Sequence, residues 1–197
     1  MDSKPEHGGQ VRRLWSSDKT EFRNHLLRLD EESRHSRFGG AVSPEFLTSY
    51  AERCFGFDDV IYGFVVDGVI RGAGELRGIG HGLPFGFGGS AEAAFSVEEG
   101  WRRQGVGARL MARIVRAARN RRAGSLYMSC LTSNGAMLAL ARKFSAQVRR
   151  EPDEAYAALS PRGPTAQTLF DEFSDEMSGF ATAMVDLQRR AFSVRPD

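Results

Sequence analysis

The sequence predicts an α/β (α+β) fold, and three observations carry that expectation. Strand-like apolar runs alternate along the chain with segments whose apolar residues recur at helical spacing. Two of the runs, DVIYGFVV and VIRGAGELR, are divided by Asp67-Gly68, a dipeptide that favours a tight hairpin turn. Farther on, the run AEAAFSV, a glycine-punctuated turn, a helical segment and the run SLYMSCL follow one another as a strand, helix, strand unit.

Each element has its own local justification. Residues 1–10 read as a disordered leader and VRRLW (11–15) as a short strand. Asp18 caps a helix in which Phe22, Leu26, Leu27 and Leu29 recur at helical spacing, ending near Asp30. The stretch EESRHSRFGG is polar, with no apolar period. Ser43 is an N-cap followed by Pro44 at the first helical position, which starts a helix running to about Arg53. After the hairpin, GIGHGLPFGFGG has no periodicity and reads as a loop. The segment 105–120 turns Val106, Leu110, Ile114, Val115 and Ala118 inward, and a second helix covers 134–144. QVRRE and EAYAALS are two further strands. Pro161–Pro164 is a linker and 165–192 one long helix, so the chain divides into a leader (1–10), a domain (11–160) and a linker with a C-terminal helix (161–197).

Composition excludes several classes. At 197 residues, 41% hydrophobic and 26% charged, the chain suits one globular domain with added elements. No apolar run approaches the roughly 20 residues of a membrane span, and MDSKPEHGG has no secretory signal core, so a cytoplasmic protein without membrane attachment is expected. Cys54 and Cys130 are the only cysteines and lie outside any metal-ligand spacing, which predicts neither a disulfide framework nor a metal. A net charge of +2 gives no basic footprint for nucleic acid.

The stretch WRRQGVGA (101–108) poses a problem of its own, because glycine inside a helix costs roughly 1 kcal/mol relative to alanine. Gly105 and Gly107 at a helix mouth, directly after a strand, make sense if the free N–H groups and the positive end of the helix dipole receive a phosphate. Arg102 and Arg103 add charge there. The dinucleotide fingerprint does not fit, because the spacing is R-x-x-G-x-G and SLYMSCL ends without a carboxylate.

AEAAFSVEEGWRRQGVGARLM resembles the acyl-CoA-binding motif of the GNAT superfamily of N-acyltransferases, and NGAMLALARKFSAQV resembles the same family's asparagine-led helix. The resemblance covers about 91–150 closely and 11–90 in element order. It implies a mixed central sheet of six to seven strands flanked by helices, with the C-terminal helix as an addition. It also implies acetyl-CoA as cosubstrate and an amine acceptor. The backbone of Ser96 and Val97 would pair with the pantetheine arm, the amides of Arg103, Gln104, Gly105, Val106, Gly107 and Ala108 would hold the pyrophosphate beside Arg102, and Asn134 would stand near the thiol end. Asn134 is equally read as a plain helix N-cap. Arg109, Arg113, Arg116 and Arg119 fall on the outer face of the helix, as solubilising charge or as a contact for the 3′-phosphate of CoA.

Acetyl transfer to an amine needs a base for the amine proton and a donor for the leaving thiolate. By the resemblance Glu92 is the base; Glu75, on the neighbouring strand, is the second candidate, and His81 a third titratable group. Many members of the family carry a tyrosine seven residues after the asparagine; here that position is Ala141, leaving Tyr127 or Tyr62 to reach in from strands. Two readings follow: an N-acetyltransferase acting on a small-molecule amine or a protein lysine, or a GNAT-fold module that binds acyl-CoA without turnover. In the C-terminal helix Phe170, Phe173, Met177, Phe180, Met184 and Leu187 form one apolar stripe. The stripe predicts packing on a folded surface, either the chain's own domain or a second subunit of a homodimer.

Overall fold

The β-branched and aromatic runs build a single seven-stranded sheet. In the computed structural model, which describes residues 8–56, 59–78 and 89–193 (without the side chains of 189–193), the strands are β1 (Gln10–Arg13), β2 (Val60–Val66), β3 (Val69–Arg77), β4 (Ser90–Val97), β5 (Ser125–Leu131), β6 (Gln147–Arg150) and β7 (Glu154–Leu159). Their order is β1-β2-β3-β4-β5-β7-β6, and every neighbouring pair is antiparallel except β4 and β5. The β2–β3 turn is the expected one, with Asp67 and Gly68 both at positive φ. The sheet starts at Gln10, inside the segment read as leader, while residues 1–7 lie outside the described residues.

Helices cover both faces. On one, α4 (Val106–Asn120) buries Val106, Leu110, Met111 and Ile114 against Tyr62, Phe64, Leu76, Leu126 and Met128. Each such side chain contributes about 1.5–3 kcal/mol on burial. α5 (Gly135–Lys143) adds Leu138 and Ala141 on the same side. On the other face, α1 (Lys19–Arg28) and α3 (Pro44–Arg53) bury Phe22, Leu26, Leu47 and Ala51 over Ile61, Val65, Ile70 and Ala73.

The stretch EESRHSRF, read from the sequence only as polar, is the helix α2 (Glu31–Phe38). Its signals are polar ones. Asp30 caps it by accepting from the Ser33 N–H at 2.8 Å, Glu31 and Glu32 sit in its first turn, and it ends on Gly39 at φ 74°. No side chain of α2 is fully buried, so apolar periodicity could not reveal it.

The C-terminal helix α6 (Ala166–Ser193) docks on β1 and α4 chiefly by its polar face; of the two surfaces expected to receive the apolar stripe, its own domain takes only Phe180, against Trp15. Its acidic residues face the domain. Glu172 accepts from Arg121 at 2.7 Å, Asn120 at 2.5 Å and the Tyr62 hydroxyl at 3.2 Å, and Glu176 accepts from Arg13 at 2.6 Å. Asp175 pairs with Arg113 and Arg116, and Asp186 lies near Arg12. Gly179 lets the helix close on β1, where an added Cβ would stand 3.1 Å from Arg12 Cβ. Thus Arg113 and Arg116, read from sequence as solvated or phosphate-facing, are the dock for α6; Arg119 reaches Gly163 O at 2.6 Å and Arg109 reaches Gly9 O at 2.8 Å. Meanwhile most of the apolar stripe stays in water, with Phe180 alone set edge-on against Trp15.

An ionic dock has a measurable signature. Glu172→Ala removes the acceptor of the Tyr62 hydroxyl and one of two acceptors from Arg121 and Asn120, which keep Ala117 O and Thr168 O, and should cost about 1–3 kcal/mol in thermal or denaturant unfolding. Truncation at Pro164 should lower the melting temperature and weaken its dependence on salt, because these pairs are screened as the Debye length falls to about 3 Å near 1 M. Unchanged stability in both variants would mean that α6 does not dock.

Candidate active site

The parallel pair β4–β5 is joined over three positions only, Ser90 with Ser125, Ala91 with Leu126 and Glu92 with Tyr127. Beyond them β4 keeps its bonds to β3 up to Val97, and β5 keeps its bonds to β7 up to Leu131. The two strands therefore part toward their carboxyl ends, leaving two unpaired edges inside the sheet. A strand's backbone groups alternate sides. The Glu98 N–H donates to Arg71 O at 3.0 Å, so the even-numbered residues of β4 turn their backbone to β3 and Ala93, Phe95 and Val97 turn theirs to the split. Of the two pantetheine-pairing candidates, Val97 faces the split and Ser96 does not.

At the open end of the split stands the N-terminus of α4. Its first backbone bond is Arg109 N–H to Gly105 O at 3.0 Å, and no side chain caps it, so the amides of Gly105, Val106, Gly107 and Ala108 precede the first helical bond and point outward. Gly105 holds φ 80° at the cap, a conformation that glycine adopts without strain. Arg103 is also left-handed, at φ 58°, with its side chain exposed. The Gln104 side chain ties the loop back to Gly100 O at 2.7 Å. The cradle fits a diphosphate: aligned donors, a dipole and a nearby cation.

Arg102, paired with Arg103 in the sequence reading, does different work. Its guanidinium binds Asp30 and Ser33 at the N-terminus of α2 and donates through Nε to Val97 O at 3.3 Å. It fastens the loop before α4 to α2, with Nε and Nη2 engaged inside the protein. Asp30 is held below the usual carboxylate range; its burial opposes this, and bonds from Ser33 and Arg102 outweigh it.

The side chain of Ser96 turns to the α1 face and meets a buried cluster that the sequence did not reveal. Ser96 Oγ lies 2.9 Å from His25 Nε2, and His25 Nδ1 lies 3.2 Å from Glu98 Oε1. Glu98 also accepts from Arg28 and Arg71, each at 2.9 Å. Burial pushes the His25 pKa down, so the ring is neutral, donating from Nδ1 to Glu98 and accepting from the Ser96 hydroxyl at Nε2. Burial also opposes ionisation of Glu98, but bonds from His25, Arg71 and Arg28 hold its pKa down to about 2. The cluster clamps α1 to the end of β4, beside the phosphate loop.

Glu75 is fully buried and saturated. Oε1 accepts from Arg37 at 2.7 Å, and Oε2 accepts from the Tyr50 hydroxyl at 2.8 Å and from Arg77 Nη2 at 2.7 Å. Burial raises its pKa, yet the two guanidiniums outweigh that and hold it below the ordinary value. These surroundings belong to a permanent anion that seats α2 and α3 on β3, and they are unsuited to a base that cycles a proton. Glu75 also helps push the neighbouring Cys54 thiol, already raised by burial, up to about 12.

Glu92 is exposed, on the face away from α4, beside Tyr127 of β5, which is 45% exposed. Cross-strand register puts Ser129, Tyr156 and Glu154 on that same face. Tyr62 is excluded from this neighbourhood, since its hydroxyl is buried under α6 against Glu172. Asn134 is the N-cap of α5, accepting from Met137 N–H at 3.0 Å, as its plain reading required. Ala141 is 1% exposed within the core under α5. His81 lies outside the described residues. Among the described residues no group of three or more His, Cys, Asp or Glu could hold a metal ion, and no helix is long and apolar enough to cross a membrane.

A split parallel pair ending in an uncapped helix mouth is the arrangement that the motif resemblance implies. Residues 21–146, more than half of the chain, match the Acetyltransferase (GNAT) family, and the chain belongs to that family. Its structure is similar to the GNAT domain of S. lividans PAT (TM-score 0.68, 20% identity, 77% of this chain and 90% of that one). It is also similar to yncA from Salmonella typhimurium, determined with its cofactor acetyl-CoA (TM-score 0.58, 14% identity, 80% and 96%). A third similar structure is the ribosomal-protein-S18-alanine N-acetyltransferase from Escherichia coli (TM-score 0.59, 15% identity, 80% and 97%). At these identities the likeness is one of fold. No curated protein matches the sequence.

The His25–Glu98 clamp sets an acid limit on stability. Both folded pKa values lie below the unfolded ones, so in each case the unfolded chain binds more protons and stability falls with acid. The His25 contribution is lost as pH falls below about 6.5, and that of Glu98 from about 4.3 down to its folded value. Thermal melting should therefore decline in two stages, the first beginning below about pH 6.5. His25→Asn should lower the melting temperature at neutral pH and flatten that first stage; a wild-type profile already flat from neutrality to about pH 5 would remove the clamp from the account.

Proposed function

We propose that the protein is an acetyl-CoA-dependent N-acetyltransferase that acetylates a primary amine by direct attack within a ternary complex. The observation that carries this reading is the uncapped amide row of α4 at the open end of the β4–β5 split. Acetyl-CoA supplies the activated thioester. The amides of residues 105–108, with Arg103, hold its pyrophosphate, and the split-facing backbone of Phe95 and Val97 pairs with the pantetheine arm. An arm laid along that edge runs toward the closed end of the split, where Glu92 and Tyr127 stand side by side.

Glu92 then has the position and the exposure of a general base, taking the amine proton directly or through one water. Tyr127 is the phenol that stands beside it, in the role of proton donor to the leaving thiolate that a residue at Ala141 does not fill. The face carrying Glu92, Glu154, Tyr127 and Tyr156 combines carboxylates with aromatic rings, a chemistry that draws an ammonium group. This favours a cationic amine, on a small molecule or as a protein lysine. Acid catalysis contributes about 10²–10⁴-fold, and orientation can contribute more, so loss of the α5 tyrosine is compatible with turnover. The reading as an acyl-CoA-binding module without turnover rests on Ala141 alone.

A screen of amines and lysine peptides with acetyl-CoA, reading free thiol, tests the reaction. Thiol release that depends on one amine class supports it; CoA binding without release for any amine supports the module.

Two variants assign the residues. Gly105→Val forces a β-branched side chain to φ 80° at the cradle and should weaken CoA binding by tenfold or more in calorimetry, whereas Gly105→Asn tolerates that conformation and should bind more nearly as wild type. Unchanged affinity of the valine variant, folded, would remove the cradle from the binding site. Glu92→Gln should lower turnover about 10²-fold or more with CoA affinity kept, and the loss should shrink as pH rises and free amine becomes abundant. Equal turnover at every pH would end the assignment of Glu92 as base.

A further inference from the structure

α6 is bound to its domain mainly by its charges, and of its apolar stripe only Phe180 meets the domain, edge-on to Trp15 at 6.3 Å between ring centroids, which leaves most of the stripe uncovered. Phe170, Phe173, Met177, Phe180, Met184 and Leu187 are 43–66% exposed, and Leu169 and Val185 are nearly half exposed. Taking about 150–250 Å² for each of these large side chains, these fractions put on the order of 600–1,000 Å² of apolar surface in water. A typical monomer's largest patch is about 300–600 Å², while one partner of a standard interface contributes about 800 Å². The patch therefore has the size of half an interface.

Its chemistry selects the occupant. No charged residue between 166 and 188 is fully exposed, because Glu172 and Asp186 are buried and Asp171, Asp175 and Glu176 are half-buried. A partner recognised by charge would find nothing to pair with, while a second copy of the same face meets no repulsion. The order of the stripe is also self-complementary. In two helices running antiparallel about an axis between Ser178 and Gly179, Phe170 faces Leu187, Phe173 faces Met184 and Met177 faces Phe180. Every phenylalanine then meets a slimmer, flexible side chain, and four of the six contacts pair a sulfur with a ring. Parallel pairing would instead set Phe against Phe three times. Bulky phenylalanines suit a seam only where such alternation lets them interdigitate.

We propose that two copies of this chain pair through α6, antiparallel about a two-fold axis near Ser178, giving an isologous dimer with the stripe as its core. Glu92 and Tyr127 of each copy lie on the sheet face away from α4, the helix on which α6 packs.

Light scattering on the full chain at micromolar concentration should give twice the 21.8 kDa of one chain; a single-chain mass would overturn the proposal. Phe173→Glu with Met177→Glu changes two side chains that are 65% and 58% exposed, so it should yield a folded monomer. A dimer that survives this change would place the interface elsewhere and also overturn it. For direction, Phe170→Cys and Leu187→Cys are made singly in a Cys130→Ser background and oxidised. A disulfide dimer formed only when the two are mixed fits antiparallel pairing; one formed by Phe170→Cys alone overturns it.

Discussion

The site depends on one constraint, the early end of the parallel pairing between β4 and β5 at Glu92 and Tyr127. Both strands go on, each held on its other side, so the sheet cannot close the gap by shifting one of them. Unpaired backbone groups inside a sheet are costly unless something satisfies them, and an extended polar ligand arm is a natural occupant. The same divergence sends the chain after β4 across the end of the sheet, where Gly105 reverses it into α4 and leaves the amide row at the mouth of the gap. The backbone groove and Glu92 thus belong to one strand, and the candidate cradle belongs to the helix that follows it.

Around that line, arginine and carboxylate pairs fix what the apolar core leaves loose. Arg12 grips Asp18 with two bonds of 2.8 Å, Arg37 and Arg77 hold Glu75, Arg102 holds the cap of α2, and Arg121 holds Glu172 on α6. The planar fork of arginine suits such joints, since it makes two directed bonds at once. Glu75 shows how this separates roles among acidic residues near the cleft. The carboxylate with donors from Arg37, Tyr50 and Arg77 around it is a strut, whereas Glu92, at the closed end of the gap, is left exposed.

α6 carries the principle furthest. Its apolar stripe suggests docking by hydrophobic burial, but the surface offered by β1 and α4 is lined with Arg12, Arg13, Arg113, Arg116 and Arg121. A helix set there gains more by presenting carboxylates, and Gly179 lets it approach. The stripe is then turned outward, where its pairing is left to another molecule.

Sequence by itself determined the elements whose cause is local. The hairpin at Asp67-Gly68, the caps Ser43 and Asn134, the periodic face of α4 and the glycine at its mouth each follow from neighbours a few residues away, and all are found where the pattern puts them. α2 was written in the sequence too, but in caps and end charges and without an apolar face. Tertiary structure alone decided the rest. His25 of α1 is brought to Ser96 and Glu98 at the end of β4, Arg102 is claimed by Asp30 from 72 residues away, and α6 chooses its face by a row of arginines that no local pattern marks as its partner. The physical reason is the same in each case. Propensity and periodicity act over one or two turns of chain, whereas charge pairing in a folded protein depends on which surfaces the sheet has already brought together.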